Sequence, residues 1–157
     1  MLGSSSPKIQ SDLLGTLAET ARKIAGDRIR TKTELRGAPF PLNLRFANAL
    51  LQIGQEAIAN AVSHANPTAL NIALHYREGG VDLVVEDNGE GFDYRPEKAG
   101  FGILGMQKRA RDIAGTLNIY TSPGHGTRVH LRASHQPVSL RKRMFASAKK
   151  KLKRWRG

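Results

Sequence analysis

Strand pairs alternate with helices along this chain, and that alternation constrains its fold more than any other feature. Residues 69–76 and 81–86 are apolar-rich runs joined across Arg77-Glu78-Gly79-Gly80, which predicts a β-hairpin. Residues 116–120 and 127–131 repeat the pattern around Ser122-Pro123-Gly124-His125-Gly126. Between the two pairs, residues 87–100 are glycine-rich and irregular, and 101–114 have helical spacing. A long helix is predicted over 42–65, ending at or just before Asn66 because Pro67 disfavours helical geometry in the residue preceding it. Nearer the start, Ile9, Leu13, Leu17, Ala21 and Ile24 recur at helical spacing over 9–25, and Gly26 closes that helix. Over 27–37, Ile29, Thr31, Thr33 and Leu35 alternate as in a half-buried strand, followed by a proline-containing loop. Helices interleaved with antiparallel hairpins predict an α/β (α+β) two-layer sandwich, an open sheet covered by helices on one face and solvated on the other.

With 157 residues and 39% hydrophobic content, the chain supports one domain with a real core plus appendages. It has no cysteine, which excludes a disulfide scaffold, thiolate catalysis and Cys-ligated zinc or iron–sulfur sites. No window approaches the roughly 20 apolar residues of a membrane span. The opening MLGSSSPKIQ has neither the basic nor the apolar region of a signal peptide, so a cytoplasmic location is the expectation. The formal charge of +12 invites a nucleic-acid reading, but residues 137–157 hold nine of the 25 Lys and Arg and none of the 13 acids. That leaves sixteen basic and thirteen acidic residues, or +3, on the first 136. The basicity belongs to a tail, and a nucleic-acid partner for the domain is not expected.

Polar residues in unexpected places carry the functional signal. In the long helix, Glu56, Asn60 and His64 fall at successive i,i+4 steps, with Ala47, Leu51, Ile58 and Val62 on the opposite side. A solvated face would account for that triplet alone. The strand at 81–86 then runs directly into Asp87-Asn88-Gly89-Glu90-Gly91-Phe92, which by itself reads as a turn. Soon afterwards Gly100-Phe101-Gly102-Ile103-Leu104-Gly105-Met106 opens the next helix. Glycines let backbone amides approach an anion closely, and a helix N-terminus adds unpaired N–H groups and a favourable dipole, as a phosphate chain requires. A fourth motif, Gly124-His125-Gly126-Thr127, leads into the last strand.

Taken in order, Gln55-Glu56-Ala57-Ile58-Ala59-Asn60-Ala61, Asp87-x-Gly-x-Gly, Gly100-x-Gly-Ile-x-Gly-Met and Gly-x-Gly-Thr resemble the N, G1, G2 and terminal Gly-Thr boxes of the GHKL ATPase superfamily. The superfamily includes sensor histidine kinases, DNA gyrase, mismatch-repair ATPases and a heat-shock chaperone. The Asn-Ala-Val-Ser-His-Ala run at 60–65, the short 93–99 lid and Gly105-Met106-Gln107-Lys108-Arg109 look like two-component sensor histidine kinases of the nitrate-sensor-like class. The match covers roughly residues 27–133. It implies a Bergerat-type fold with a mixed, mostly antiparallel sheet, and two cofactors, ATP and Mg²⁺.

The resemblance implies roles residue by residue. Asn60 ligates Mg²⁺, a hard ion that shares its shell with phosphates and water. Glu56 orients or deprotonates the attacking group. Asp87 accepts the adenine exocyclic amine, where guanine offers a carbonyl instead, and Thr127 supports the same edge. Gly89 and Gly91 shape the floor under base and sugar. Gly100, Gly102, Ile103, Gly105 and Met106 form the lid and phosphate cradle, and His64 approaches the phosphates. The glycine clusters flanking 92–100 imply a lid that orders over the γ-phosphate. Ser63 stands where many relatives carry Arg or Lys, a contact for which Arg109 or Lys108 could compensate.

A histidine kinase needs an acceptor histidine, usually followed by an acid. Here His64, His75, His125, His130 and His135 are followed by Ala, Tyr, Gly, Leu and Gln. The expected organisation is therefore a helical end of a dimerisation or linker region (1–26), an ATP-binding catalytic domain (27–136) and a basic tail (137–157). The acceptor-histidine dimerisation domain lies upstream or on another protein, a response regulator is reached indirectly, and the full-length kinase is a homodimer. If the chain is part of a membrane-bound sensor, it lies on the cytoplasmic side. Two further readings share the fold: an ATP-binding switch without phosphotransfer, and an anti-sigma-type serine kinase. In the tail, Leu140, Met144, Ala148, Leu152 and Trp155 lie near one helical stripe. That pattern fits a basic amphipathic helix on an anionic membrane surface, a nonspecific phosphate-binding arm or a solvated terminus.

Overall fold

Asp12 starts the first helix, α1 (Leu13–Ala25), by accepting the Gly15 amide on Oδ1 at 3.0 Å, which satisfies a helix N–H that has no partner within the helix. The structure is a computed structural model and describes residues 12–135, so Ile9 and the basic tail, with the amphipathic pattern read there, lie outside the described residues. Steps of four keep Leu13, Leu17, Ala21 and Ala25 on one buried face. Ala25 thereby takes the place expected of Ile24, which is 41% exposed. Leu13, Leu17, Ala21 and Ala25 join one core cluster with residues of the long second helix and the sheet.

After a 3-10 turn at Gly26–Arg28, the chain enters β1 (Arg30–Arg36), an edge strand parallel to β2 (Ala69–Arg77). β3 (Gly80–Asp87), β4 (Gly115–Thr121) and β5 (Thr127–Ser134) complete a sheet of order β1-β2-β3-β5-β4, antiparallel beyond the first pair. The expected mixed, mostly antiparallel sheet is what forms. Leu70, Ile72, Leu74 and Tyr76 of β2, Val81, Leu83 and Val85 of β3, and Val129, Leu131 and Ala133 of β5 are buried. They share one face by the two-residue period of a strand, and the helices cover that face. The alternation read in 29–35 is only partly realised. Ile29 is buried just ahead of β1, whereas Leu35 is 51% exposed because an edge strand is paired on one side only and its far end lacks helical cover.

Asn43 caps the second helix, α2 (Leu44–Asn60), by accepting the Phe46 amide at 2.8 Å. The helix continues as a π-helical turn, Ala61–Ala65, and ends at Asn66, whose φ of 45° is left-handed. The stop ahead of Pro67 is as expected. The buried face differs from the expected one: Phe46, Ala47, Leu50, Ile53, Gly54, Ala57 and Ile58 are buried, while Leu51 and Val62 are half-buried. Burial against α1, the sheet and α3 (Phe101–Asp112) widens the apolar stripe until it runs beside Glu56 and Asn60 rather than opposite them. Among the described residues no helix is long and apolar enough to cross a membrane.

Candidate functional site

The second half of α2, the ends of β3 and β5 and the start of α3 enclose a cleft of about 410 Å³. Its α2 wall consists of Ala57, Asn60, Ala61, His64 and Ala65, and its sheet wall of Val85, Asp87, Ile119, Thr127 and Val129. Nine of the twelve predicted site residues line it: Asn60, His64, Asp87, Gly91, Gly100, Gly102, Ile103, Met106 and Thr127. Glu56, Gly89 and Gly105 are not among its lining residues.

Asp87 ends β3 and is 8% exposed, a burial that a carboxylate tolerates only with hydrogen bonds. Its Oδ1 accepts the Gly89 amide at 2.8 Å, and the Thr127 backbone also bonds to it. Burial pushes its pKa above the usual carboxylate value; the Gly89 and Thr127 hydrogen bonds oppose that rise and the neighbouring Glu86 charge adds to it. The Thr127 hydroxyl lies 2.9 Å from that of Thr121, which also donates to Gly126 O at 3.0 Å and accepts the Phe92 amide at 3.1 Å. Thr121 thus ties the last motif to the loop after β3.

That loop is pressed onto the end of α2. Glu90 N donates to Ala65 O at 2.7 Å, and Gly89 packs against Ala65 so closely that a Cβ there would lie 2.6 Å from the Ala65 Cβ. Gly91 has φ +63°, a conformation that costs any other residue strain, and a Cβ on it would lie 2.9 Å from Gly126 O. The loop also docks on α3, where Gln107 Nε2 donates to Tyr94 Oη at 3.1 Å. The Tyr94 ring meets Phe92 edge-on at 6.0 Å.

At the start of α3, Gly102 lies against the carboxylate of Glu56. A Cβ on Gly102 would collide with Glu56 Oε1, lie 3.2 Å from Glu56 Cδ and lie 3.6 Å from Asn60 Nδ2. Glu56, Asn60 and the glycine-rich turn therefore converge at one end of the cleft. Phe101, 96% exposed, stands at its mouth. Gly105 lies instead on the side of α3 next to Arg109.

Arg109 does not replace the cation missing at Ser63. Its Nε donates to Gln52 Oε1 at 2.7 Å, which holds the guanidinium in a separate groove between α2 and α3 with Arg45 and Asp112, and Lys108 does not line the cleft either. The residues sequence reasoning missed are mainly apolar: Ala57, Ala61, Ala65, Val85, Phe92, Phe101, Ile119 and Val129. Val85 and Val129 were legible in principle, as the inward-pointing strand residues nearest Asp87.

The donor set fits a hard cation. Asn60, whose amide carries a hard oxygen donor, lines the cleft with Glu56 one turn away, and among the described residues no group of three or more His, Cys, Asp or Glu could hold a metal by itself. A divalent ion there would draw most of its ligands from phosphate and water, as Mg²⁺ does.

Residues 47–137 match the family model described as histidine kinase-, DNA gyrase B- and HSP90-like ATPase. The chain is 33% identical over 100 residues to the signal transduction histidine-protein kinase/phosphatase DegS of Bacillus subtilis, an alignment covering 61% of this chain and 25% of DegS. It spans about a quarter of the length of the curated relatives it matches. The fold superposes on the histidine kinase domain of a blue-light activated histidine kinase from Erythrobacter litoralis EL346 with a TM-score of 0.67 at 21% identity, covering 88% of this chain and 64% of that one. The ATP binding domain of PrrB from Mycobacterium tuberculosis matches with a TM-score of 0.61 at 26% identity, over 80% of this chain and 93% of that domain.

Proposed function

We propose, for a chain that belongs to the histidine kinase-, DNA gyrase B- and HSP90-like ATPase family, that the cleft binds ATP with Mg²⁺ and presents the γ-phosphoryl group to a histidine of a separate acceptor domain. The observation that carries this reading is the pairing of a buried carboxylate, Asp87, on the sheet wall with Asn60 on the helical wall, where Glu56 abuts the glycine turn of α3. Asp87 accepts the adenine amine, and Thr127, bonded through its backbone to Asp87, steadies that edge. Gly89 and Gly91 hold the floor, and Gly100, Gly102, Ile103 and Met106 shape the phosphate end with His64 nearby, while Gly105 stands outside it beside Arg109.

Asn60 would hold Mg²⁺, which when bound neutralises charge on the phosphates. The acceptor imidazole directs a nitrogen lone pair at the γ-phosphorus while the bond to the bridging oxygen breaks and its electron pair leaves on ADP. Glu56 orients that imidazole or takes its proton. The protein's contribution is positioning and charge stabilisation rather than covalent chemistry. Residues 92–100 close over the γ-phosphate, the acceptor domain dimerises the full kinase, and a cytoplasmic response regulator receives the phosphoryl group afterwards.

Calorimetry with and without Mg²⁺, followed by incubation with labelled ATP and a separate acceptor domain, tests the proposal. Wild type binds ATP, Asp87→Asn does not, and Asn60→Ala binds without dependence on Mg²⁺. Acid-labile label on the acceptor is the expected product. Acid-stable label would indicate a serine kinase, and ATP binding without transfer an ATP-driven switch.

A further inference from the structure

The sheet has a second face, which the nucleotide reading leaves unused. Register places Arg30, Lys32, Glu34 and Arg36 of β1, Arg77 of β2, Asp82 and Glu86 of β3, and Arg128 and Arg132 of β5 on the side away from the helices. Six cations therefore face three carboxylates. Two of those carboxylates are engaged locally: Glu34 with Arg36 Nε at 2.7 Å, and Asp82 with Arg77 Nε at 2.7 Å. Among the described residues Arg30, Lys32, Arg128 and Arg132 form no ion pair within 4.0 Å, and all four are exposed. Tyr120, 57% exposed, lies opposite Arg128 on the same face.

We propose that this helix-free face docks on an anionic lipid surface. The chain leaves the fold at the edge of the face: the His135 amide donates to Gly79 O at 2.9 Å, at the hairpin end of the sheet where Arg77 stands. In sequence, the nine cations of 137–157 come next, interleaved with Leu140, Met144, Phe145, Leu152 and Trp155. Cations near an anionic leaflet attract it, and an aromatic with a polar tip suits the headgroup level. Apolar side chains among cations favour lipid over nucleic acid, because only lipid offers a hydrocarbon boundary for them. The cleft opens among the helices on the opposite side of the sheet, so a docked domain keeps it accessible.

Cosedimentation of the whole chain with phosphatidylcholine vesicles, with and without phosphatidylglycerol, tests the proposal. Each cation near the surface changes partitioning by roughly fivefold. The variant Arg30→Gln/Lys32→Gln/Arg128→Gln/Arg132→Gln, tail intact, should lose at least about tenfold in partitioning to anionic vesicles, with ATP affinity unchanged. A control variant that removes the same charge from the helical side, Arg22→Gln/Lys23→Gln/Lys108→Gln/Arg111→Gln, should stay close to wild type. Should the four-site face variant melt early, the paired variants Arg30→Gln/Lys32→Gln and Arg128→Gln/Arg132→Gln replace it. Equal losses in face and control variants reduce the effect to net charge and overturn the proposal. So does undiminished partitioning of the face variants, which leaves the tail alone responsible. Binding to duplex DNA but not to vesicles assigns the face to nucleic acid and overturns it as well.

Discussion

Replacing Gly102 with alanine separates what the glycine does for the proposed chemistry from what it does for the fold. Gly102 sits in the first turn of α3, where alanine is favoured over glycine by roughly 0.5–1 kcal/mol. The added Cβ would collide with Glu56 Oε1 and lie 3.2 Å from Glu56 Cδ. That obstacle is the free end of a flexible side chain, so the carboxylate swings aside and the backbone stays. Restoring van der Waals separation takes a displacement of roughly an ångström, and a misplacement of that size costs up to about 10²-fold in rate. Gly102→Ala should therefore melt about 1–3 °C higher, hold ATP within about threefold of wild type, and transfer phosphoryl to an acceptor domain about 10²-fold more slowly.

Initial-rate transfer at saturating ATP, with thermal melting and calorimetry on the same preparations, reads all three quantities. Glu56→Gln and the double variant complete a cycle. If the alanine acts through Glu56, the double variant is no slower than Glu56→Gln alone, because the two changes damage one function. Transfer by Gly102→Ala within threefold of wild type, or full additivity in the cycle, would refute the argument.

Asp87→Asn keeps an oxygen for the Gly89 amide and removes a charge whose burial is unfavourable, so it should abolish ATP binding while leaving unfolding in urea at pH 7 unchanged or harder. The folded chain holds the Asp87 proton more tightly than the unfolded chain, whose carboxyl titrates near 3.8. The unfolding free energy therefore falls as pH rises from 3.8 through the raised folded value and is flat above it; Asp87→Asn should lack that component of the slope, and parallel pH profiles for the two proteins would contradict the assignment. Gly91→Ala meets backbone rather than side chain, with Gly126 O 2.9 Å from the new Cβ and φ at +63°. It should destabilise by at least about 1–2 kcal/mol in urea unfolding, and a neutral result would mean that the loop re-forms elsewhere.

The elements and the polar half of the cleft were legible because each leaves a periodic or punctuated trace in sequence. Hairpin turns, the Pro67 stop and the Asp-x-Gly-x-Gly loop are local, and local chemistry fixes them. What escaped were properties set by partners distant in sequence. Leu51 and Val62 fit the apolar side of an isolated helix, yet α1 and α3 draw Ile53, Gly54 and Ala57 inward instead. Arg109 was a reasonable stand-in near phosphates until Gln52, 57 residues away, took its guanidinium. Thr121 carries no motif, and its role emerges only when the turn before β5 folds back onto the loop after β3.

Helix α2 also shows how a small domain keeps a cleft of about 410 Å³ without losing its core. Its early turns carry the bulky buried side chains Phe46, Leu50 and Ile53, and Leu17 of α1 packs against Gly54 at their end. Beyond that point the buried residues that line the cleft are Ala57, Ala61 and Ala65, while Ile58 stays buried in the core off the lining. On the side that turns toward the cleft, bulky packing residues thus give way to alanines, a change in side-chain volume rather than in polarity. Leu50 and Ala61 are separated by eleven residues, about 16 Å at the helical rise, beyond the roughly 7–10 Å within which substitutions usually couple. Leu50→Ala should lower stability by about 2–5 kcal/mol with the ATP affinity of the folded protein unchanged. Ala61→Leu should fill the cleft and weaken ATP binding at least about tenfold, with at most about 1–3 kcal/mol lost from overpacking. The double variant should show the sum of both effects, read by urea unfolding and calorimetry. Strong coupling between the two sites would mean that core and cleft form one mechanical unit, and that the change in side-chain size along α2 does not separate them.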